Sequence, residues 1–317
     1  MAATDKHVKT AVVGRGCIAT TLAYYLNDPE LHLLVRNAQE TPLEITYQRE
    51  KHAIPGKLVA LNTFDFADID LLLVPIKSYH NEAFINEAKD KLPTTVTIAV
   101  FQNGIQFVHQ FKRAFPQNAI IAGLSTDGAY RDERANITLA GKGTLVLGSI
   151  SQAEKKTVNQ LLRSHPSAQW LDDIDTAIFK KLLINIAINP LTFVHQCKNG
   201  ELMKRLHDVN AIVNEVFVLF DKLQVQYQKD TWFEEVISVI KGTANNTSSM
   251  LQDRLKQQPT EIDAILGALL EQAFNVQSES RAGGASNNRL KATTDTPFIS
   301  ALYDQVTSIE QQYLSSK

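Results

Sequence analysis

The segment that most constrains this chain is Gly14-Arg15-Gly16-Cys17-Ile18-Ala19, which follows a short β-rich run, Val8–Val13, and opens a helix candidate, Cys17–Leu26. A glycine at 14 permits a tight turn. A glycine at 16 lets backbone approach a ligand closely, and a small residue at 19 lets the helix pack on the strand. Such a strand–turn–helix presupposes a parallel sheet. The downstream pattern agrees: His32–Arg36 reads as a second strand, and Ile69–Lys77 and Thr95–Gln102 are near-continuous apolar runs suited to strands buried on both faces. Between those two runs, Tyr79–Lys91 has helical spacing. The repeated βα units predict a doubly wound sheet. Asn136–Ile150 reads as an antiparallel hairpin at one edge, turning at Lys142.

Beyond about Ala168 the β signal fades. Ile174–Asn189, Val209–Gln228, Phe233–Thr243 and Glu261–Phe274 carry apolar residues near 3.6 spacing. The expected fold class is therefore α/β, a Rossmann-like dinucleotide-binding domain followed by an all-helical one. The expected boundary gives domains 1–172 and 173–317. Ser278–Thr296 is polar and rich in small residues, and reads as a long surface loop. With 317 residues, about two domains is the prior expectation.

The 32 Lys+Arg against 34 Asp+Glu leave a net charge of −2, which disfavours nucleic acid and anionic lipid as partners. The best uncharged apolar run, Leu71–Ile76, is strand-length, so no membrane span is expected. Cys17 and Cys197 are the only cysteines. Two thiols supply neither a disulfide framework nor a zinc site, so no metal and a cytoplasmic location are expected.

The glycine loop at a helix N-terminus suits a pyrophosphate. In NAD-binding loops an acidic residue about 20 positions on grips the ribose 2′-hydroxyl. Here Arg36 ends the second strand, followed by Asn37, with no acidic residue before Glu40. A guanidinium there suits a 2′-phosphate, which favours NADP; a solvated surface arginine is the alternative. In the helical half, Lys181, Asn185 and Asn189 lie at i, i+4 and i+8 and share one helical stripe within ~80°. Three polar groups on so apolar a helix need partners, either neighbouring backbone or a bound ligand. Pro190 is expected to kink or end the helix. Asn245–Met250 reads as a run of short hydrogen-bonding groups or a simple helix cap. Thr260 is expected to cap the next helix with Asp263 three residues on, and Glu261 to complement its dipole or to act in a site.

The combination resembles the ketopantoate reductase (2-dehydropantoate 2-reductase) family over nearly the whole chain. The carriers are FKKLLINIAINPLTFVHQCKNGEL at 179–202, NNTSSMLQD at 245–253, TEID at 260–263, LLLVPIK ending at Lys77, and QNG at 102–104. The resemblance implies that Lys181 is the catalytic general acid. It further implies that Asn103, Lys181, Asn185, Asn189, Asn199 and Ser249 bind substrate. Gly14, Arg15, Gly16, Cys17, Ile18, Ala19, Arg36, Lys77, Asn103, Ala129 and Glu261 are implied to bind NADPH/NADP. The implied reaction is NADPH-dependent reduction of ketopantoate to D-pantoate in pantothenate biosynthesis. The alternatives are the same chemistry on another branched 2-keto acid and a non-catalytic NADPH sensor. A small 2-keto acid is the expected partner, and a homodimer is left open. The chain departs from the family in Phe179 where Trp is common, in Asp127, and in a longer stretch from Glu261 to Pro297.

Overall fold

The computed structural model describes residues 7–36, 43–132, 135–279 and 295–316, the backbone alone for 276–279. Two compact units emerge, one of Met1–Gln102 with Phe107–Ile174, the other of Asn103–Gln106 with Asp175–Lys317.

In the first unit the elements run β1 (Thr10–Val13), α1 (Cys17–Leu26), β2 (His32–Val35), β3 (Glu44–Tyr47), β4 (Glu50–Ala53), β5 (Lys57–Ala60), β6 (Leu71–Val74), α2 (Asn81–Ala88), β7 (Thr97–Val100), α3 (Gln106–Ala114), β8 (Ile120–Ser125), β9 (Gly128–Arg131), β10 (Ile137–Gly141), β11 (Leu145–Ser151), α4 (Asn159–Ser164) and β12 (Ala168–Trp170). Eight strands form the main sheet in the order β12-β11-β8-β7-β6-β1-β2-β5. Pairing is parallel from β5 through β8, with β11 antiparallel to β8. The strand order reverses between β1 and β6, the switch point at whose C-terminal ends ligands bind in sheets of this kind. Strands β1, β6 and β7 are buried at every position, as their unbroken apolar runs require.

The expected hairpin over 136–150 does not form. β10 joins a separate four-stranded sheet of order β4-β3-β10-β9, while β11 turns into the main sheet. The glycine-rich turn between them is a branch point, because β11 finds a longer register on β8 than any hairpin partner would offer.

Asp127, beside this branch, is a buried hub. Its carboxylate accepts from Gly143 N at 2.8 Å, Ser125 Oγ at 2.9 Å, His165 Nε2 at 3.1 Å and Tyr25 Oη at 3.3 Å. His165 Nδ1 accepts from Ser167 N at 3.1 Å, so Nε2 carries the proton it donates. Burial, then the Asp127 charge, push the Tyr25 hydroxyl well above its usual range, keeping it a donor.

The second unit holds α5 (Ile174–His195, whose first residue falls in the other unit), a 3₁₀ turn (Asn199–Arg205), α6 (Leu206–Lys222), α7 (Lys229–Gly242), α8 (Ser249–Leu255), a π-helical turn (Asp263–Gly267), α9 (Ala268–Glu279) and α10 (Pro297–Leu314). Helix α5 is long and apolar enough to cross a membrane, more so than the Leu71–Ile76 run, yet most of it is buried in the protein. Pro190 lies inside it and does not end it. Helical geometry persists to His195, while the Thr192 hydroxyl donates to the carbonyls of Ile188 and Asn189 at 3.0 and 2.9 Å. The helix expected over 261–274 is also different: it opens with the π turn, and Phe274, read as core, is 51% exposed. One extra residue per turn shifts the phase that 3.6 spacing assumes.

Asp127→Ala should remove the shared acceptor of four donors and cost on the order of 3 kcal/mol. A denaturant-midpoint shift of under about 1 kcal/mol would show that the hub is dispensable.

Candidate functional site

The first unit carries the glycine loop. Gly14 has φ +87°, a left-handed conformation that favours glycine, and its N–H donates to Leu34 O at 2.7 Å. Gly16 is the N-cap of α1, with extended backbone and no side chain to cap the helix. A Cβ placed there meets nothing within 4 Å, so the space above the first turn is open to a ligand. The first turn of α1 contains no acidic residue. Amides and dipole thus present positive character to an anion. Ala19 is buried, which lets α1 pack on the sheet. The Arg131 guanidinium donates to Arg15 O and holds the loop. Cys17, Ile18 and Ala129 line one cavity of about 30 Å³ with Thr21, Ser125 and Asp127.

Arg36 is exposed just past β2, while Asn37 and Glu40 lie outside the described residues. Burial lowers the His80 imidazole below its usual range, and the nearby positive Arg36 lowers it further. Lys77 is half-buried, directly before the 3₁₀ turn that carries His80. Open backbone at Gly16 and an unobstructed helix start make a donor set that fits the pyrophosphate of a dinucleotide, with the cationic Arg36 near His80 in the same unit.

The second unit assembles the polar stripe. Lys181 and Asn185 are half-buried and Asn189 is 6% exposed, on a helix whose Leu182, Leu183, Ile186 and Ala187 are core. Asn185 Nδ2 donates to Asn103 Oδ1 at 3.4 Å, and Asn103 Nδ2 donates to Glu261 Oε2 at 3.0 Å. Glu261 is itself 6% exposed. Burial pushes the Lys181 ammonium down to about 8, and the Glu261 carboxylate opposes that shift. Three segments distant in sequence therefore meet as one connected group. It comprises an acidified ammonium, two amides and a buried carboxylate.

Asn199 is buried at the start of the 3₁₀ turn. Its Nδ2 donates to Thr243 Oγ1 at 2.9 Å, and its Oδ1 has no hydrogen-bond partner. Ser249 is exposed in the first turn of α8, while Ser248 is the N-cap and accepts from Leu251 N. Capping thus falls to one serine and leaves the other to face solvent.

Sequence reasoning missed Gly104. Its φ is +86°, and a Cβ would lie 2.0 Å from Ala264 O. That close approach seats the Asn103 loop against the π turn beside Glu261. The Asn-Gly pair was the available signal.

Comparison with known proteins identifies the family. Residues 10–152 match the family described as ketopantoate reductase PanE/ApbA, and residues 173–281 match its C-terminal domain. A 2-dehydropantoate 2-reductase from Salmonella typhi is 32% identical over 216 residues, 67% of this chain and 70% of that protein. The chain belongs to the ketopantoate reductase family. The Vibrio cholerae 2-dehydropantoate 2-reductase is 28% identical over 309 residues, 95% of this chain and 98% of its own. D-mandelate dehydrogenase with NADH and anilino(oxo)acetate shares the fold, with a TM-score of 0.82 at 19% identity, over 96% of this chain and 99% of its own. As a member of this family, the protein is an oxidoreductase with a Rossmann-like fold and NAD(P) dependence.

Gly104→Ala should be destabilising by about 2 kcal/mol or more, from forced positive φ plus a backbone clash. Gly242→Ala, at the end of α7 with nothing within 4 Å of the added Cβ, should be neutral or stabilising. Equal unfolding midpoints for the two variants would contradict the close approach.

Proposed function

We propose that this protein reduces ketopantoate to D-pantoate with NADPH, and that Lys181 is the proton donor. The observation that carries the reading is the Lys181 ammonium, acidified by burial and joined electrostatically to Glu261 in one group with Asn103 and Asn185. The curated relatives named above act, by name, on 2-dehydropantoate.

The nicotinamide cofactor supplies the hydride when bound. Gly14–Ala19, Arg36, Lys77, Asn103, Ala129 and Glu261 would hold it. Lys181 keeps a proton at Nζ for the carbonyl oxygen and steadies the negative charge that grows there. Asn185, Asn189, Asn199 and Ser249 bind the polar groups and carboxylate of the substrate, and Asn199 Oδ1, buried without a partner, is an acceptor for a substrate hydroxyl. Arg36, in place of an acidic residue, selects the 2′-phosphate and so NADPH over NADH. Cys17 and Cys197, the two cysteines of the chain, fit a reducing, cytoplasmic setting.

A second reading is reduction of another branched or aromatic 2-keto acid. It is favoured by the fold shared with D-mandelate dehydrogenase and by the lengthened stretch after Glu261, of which residues 280–294 lie outside the described ones. A panel of 2-keto acids assayed by NADPH oxidation separates the two. Ketopantoate must lead the panel in kcat/KM for the first reading to stand.

Lys181→Ala should lower kcat by about 10² or more with little change in cofactor Kd. Because the ammonium must be protonated to donate, reduction by the parent enzyme should fall as pH rises through about 8. The reverse oxidation, which needs the neutral amine, should rise over the same interval. A flat profile from pH 7 to 9.5 under chemistry-limited conditions would remove Lys181 from the role.

Arg36→Ala should weaken NADPH by about 1.5–3 kcal/mol and leave NADH nearly unchanged, as read by fluorescence titration. Equal losses for the two cofactors would refute 2′-phosphate recognition by Arg36.

A further inference from the structure

The reading above leans on Glu261, and the backbone on either side of that residue is gripped from a single element. Upstream, Tyr313 Oη donates to Gln258 O at 3.0 Å, and the Glu310 carboxylate accepts from Thr260 N at 3.2 Å and from the Thr260 hydroxyl. Downstream, Tyr303 Oη donates to Asp263 Oδ1 at 2.5 Å. All three side chains belong to α10. At 100° per residue, positions 303, 310 and 313 fall within ~80° of one helical face. That face brackets residues 258–263 and leaves Glu261 at the centre.

The helix that makes these contacts is itself anchored. The Glu215 carboxylate on α6 accepts from Phe298 N at 3.0 Å and Ile299 N at 2.8 Å, capping the first turn of α10 from outside. Ile299, Leu302 and Val306 are buried. Pro297 at the helix start suits its fixed φ. A rigid helix can therefore impose a position on its partner segment. The partner needs one, because 256–262 is mostly irregular backbone ahead of a π turn, which has poorer intrinsic stability than α-helix. The turn also brings Gly267 under the Tyr303 ring, where a Cβ would lie 3.1 Å from it.

We propose that α10 is a positioning clamp for the reaction, in which Tyr303 and Glu310 hold Glu261 at the place where it accepts from Asn103 in the group that contains Lys181. The proposal rests on the reading of Lys181 as proton donor. It makes the C-terminal helix part of the active-site machinery rather than a brace.

The test uses the full chain labelled with ¹³Cε-lysine, the Lys181 resonance being assigned by its loss in Lys181→Ala. Titration followed by NMR reads Lys181 without substrate, and steady-state kinetics with ketopantoate run alongside. Glu261→Gln removes the carboxylate charge, so the Lys181 midpoint should move below about 8. Tyr303→Phe and Glu310→Ala should move it the same way by a smaller amount, and raise KM by about twofold to tenfold, the range of one lost hydrogen bond. Neither should shift it further in the Glu261→Gln background. Glu310→Gln keeps an oxygen to accept from Thr260 and should restore most of the effect, and it serves where Glu310→Ala folds poorly.

If the clamp variants lower Tm but leave the Lys181 midpoint and KM alone, α10 is a brace and the proposal fails. The proposal also fails if Glu261→Gln leaves the midpoint in place. If the midpoint moves as stated and no 2-keto acid is reduced, the clamp stands while the assigned reaction falls.

Discussion

An ammonium on an apolar helix is the constraint around which the second unit is built. Desolvating a charge costs several kcal/mol unless paired groups or a shifted pKa relieve it. Lys181 uses both routes. Its proton affinity drops through burial, and Glu261 returns part of it. The carboxylate is itself buried, so it too needs donors, and Asn103 supplies one from a segment 158 residues away. Asn103 is in turn held by the contact that Gly104 allows against the π turn. Each element in this chain of dependence exists because the previous one would be too costly alone.

The first unit solves a different problem, which is to present bare backbone to an anion. That demands glycine where the chain turns at +87°, a helix start without a side-chain cap, and a sheet rigid enough to hold both. The rigidity comes from strands buried on both faces and from Asp127. Its carboxylate ties together α1, the β8–β9 turn, the loop before β11 and the loop before β12. A carboxylate that accepts from four donors is held far more firmly than any one of those bonds implies.

What the sequence disclosed follows from the same physics. The glycine loop, the double-sided apolar strands and the Lys181 stripe are local patterns whose period or spacing carries the information. The parting of β10 and β11 was not legible, because two adjacent β runs joined by a glycine turn look alike whether they pair or part. Only the partner strands β8 and β3, far off in sequence, decide it. Pro190 was expected to kink or end α5; the helix runs on past it to His195, because burial of the apolar helix outweighs one lost backbone donor. The π turn escaped because one residue of slippage leaves apolar spacing nearly intact for a turn or two. Tyr303 and Glu310 carry no local signature: nothing in a tyrosine and a glutamate seven residues apart says that they reach back to Thr260 and Asp263.

This division bears on what the site can be asked to do. A proton donor must be protonated before the reaction and willing to give the proton during it. An ordinary solvated lysine meets only the first condition. Burial alone, carried further, would leave the amine neutral at working pH and meet only the second. A midpoint near 8 lies between, and it is reached because Glu261 opposes desolvation without cancelling it. Acid strength is thus set by residues that need no contact with the side chain of the substrate. On the proposed reading, the proton-transfer chemistry can stay constant while substrate contacts such as those assigned to Asn199 and Ser249 vary.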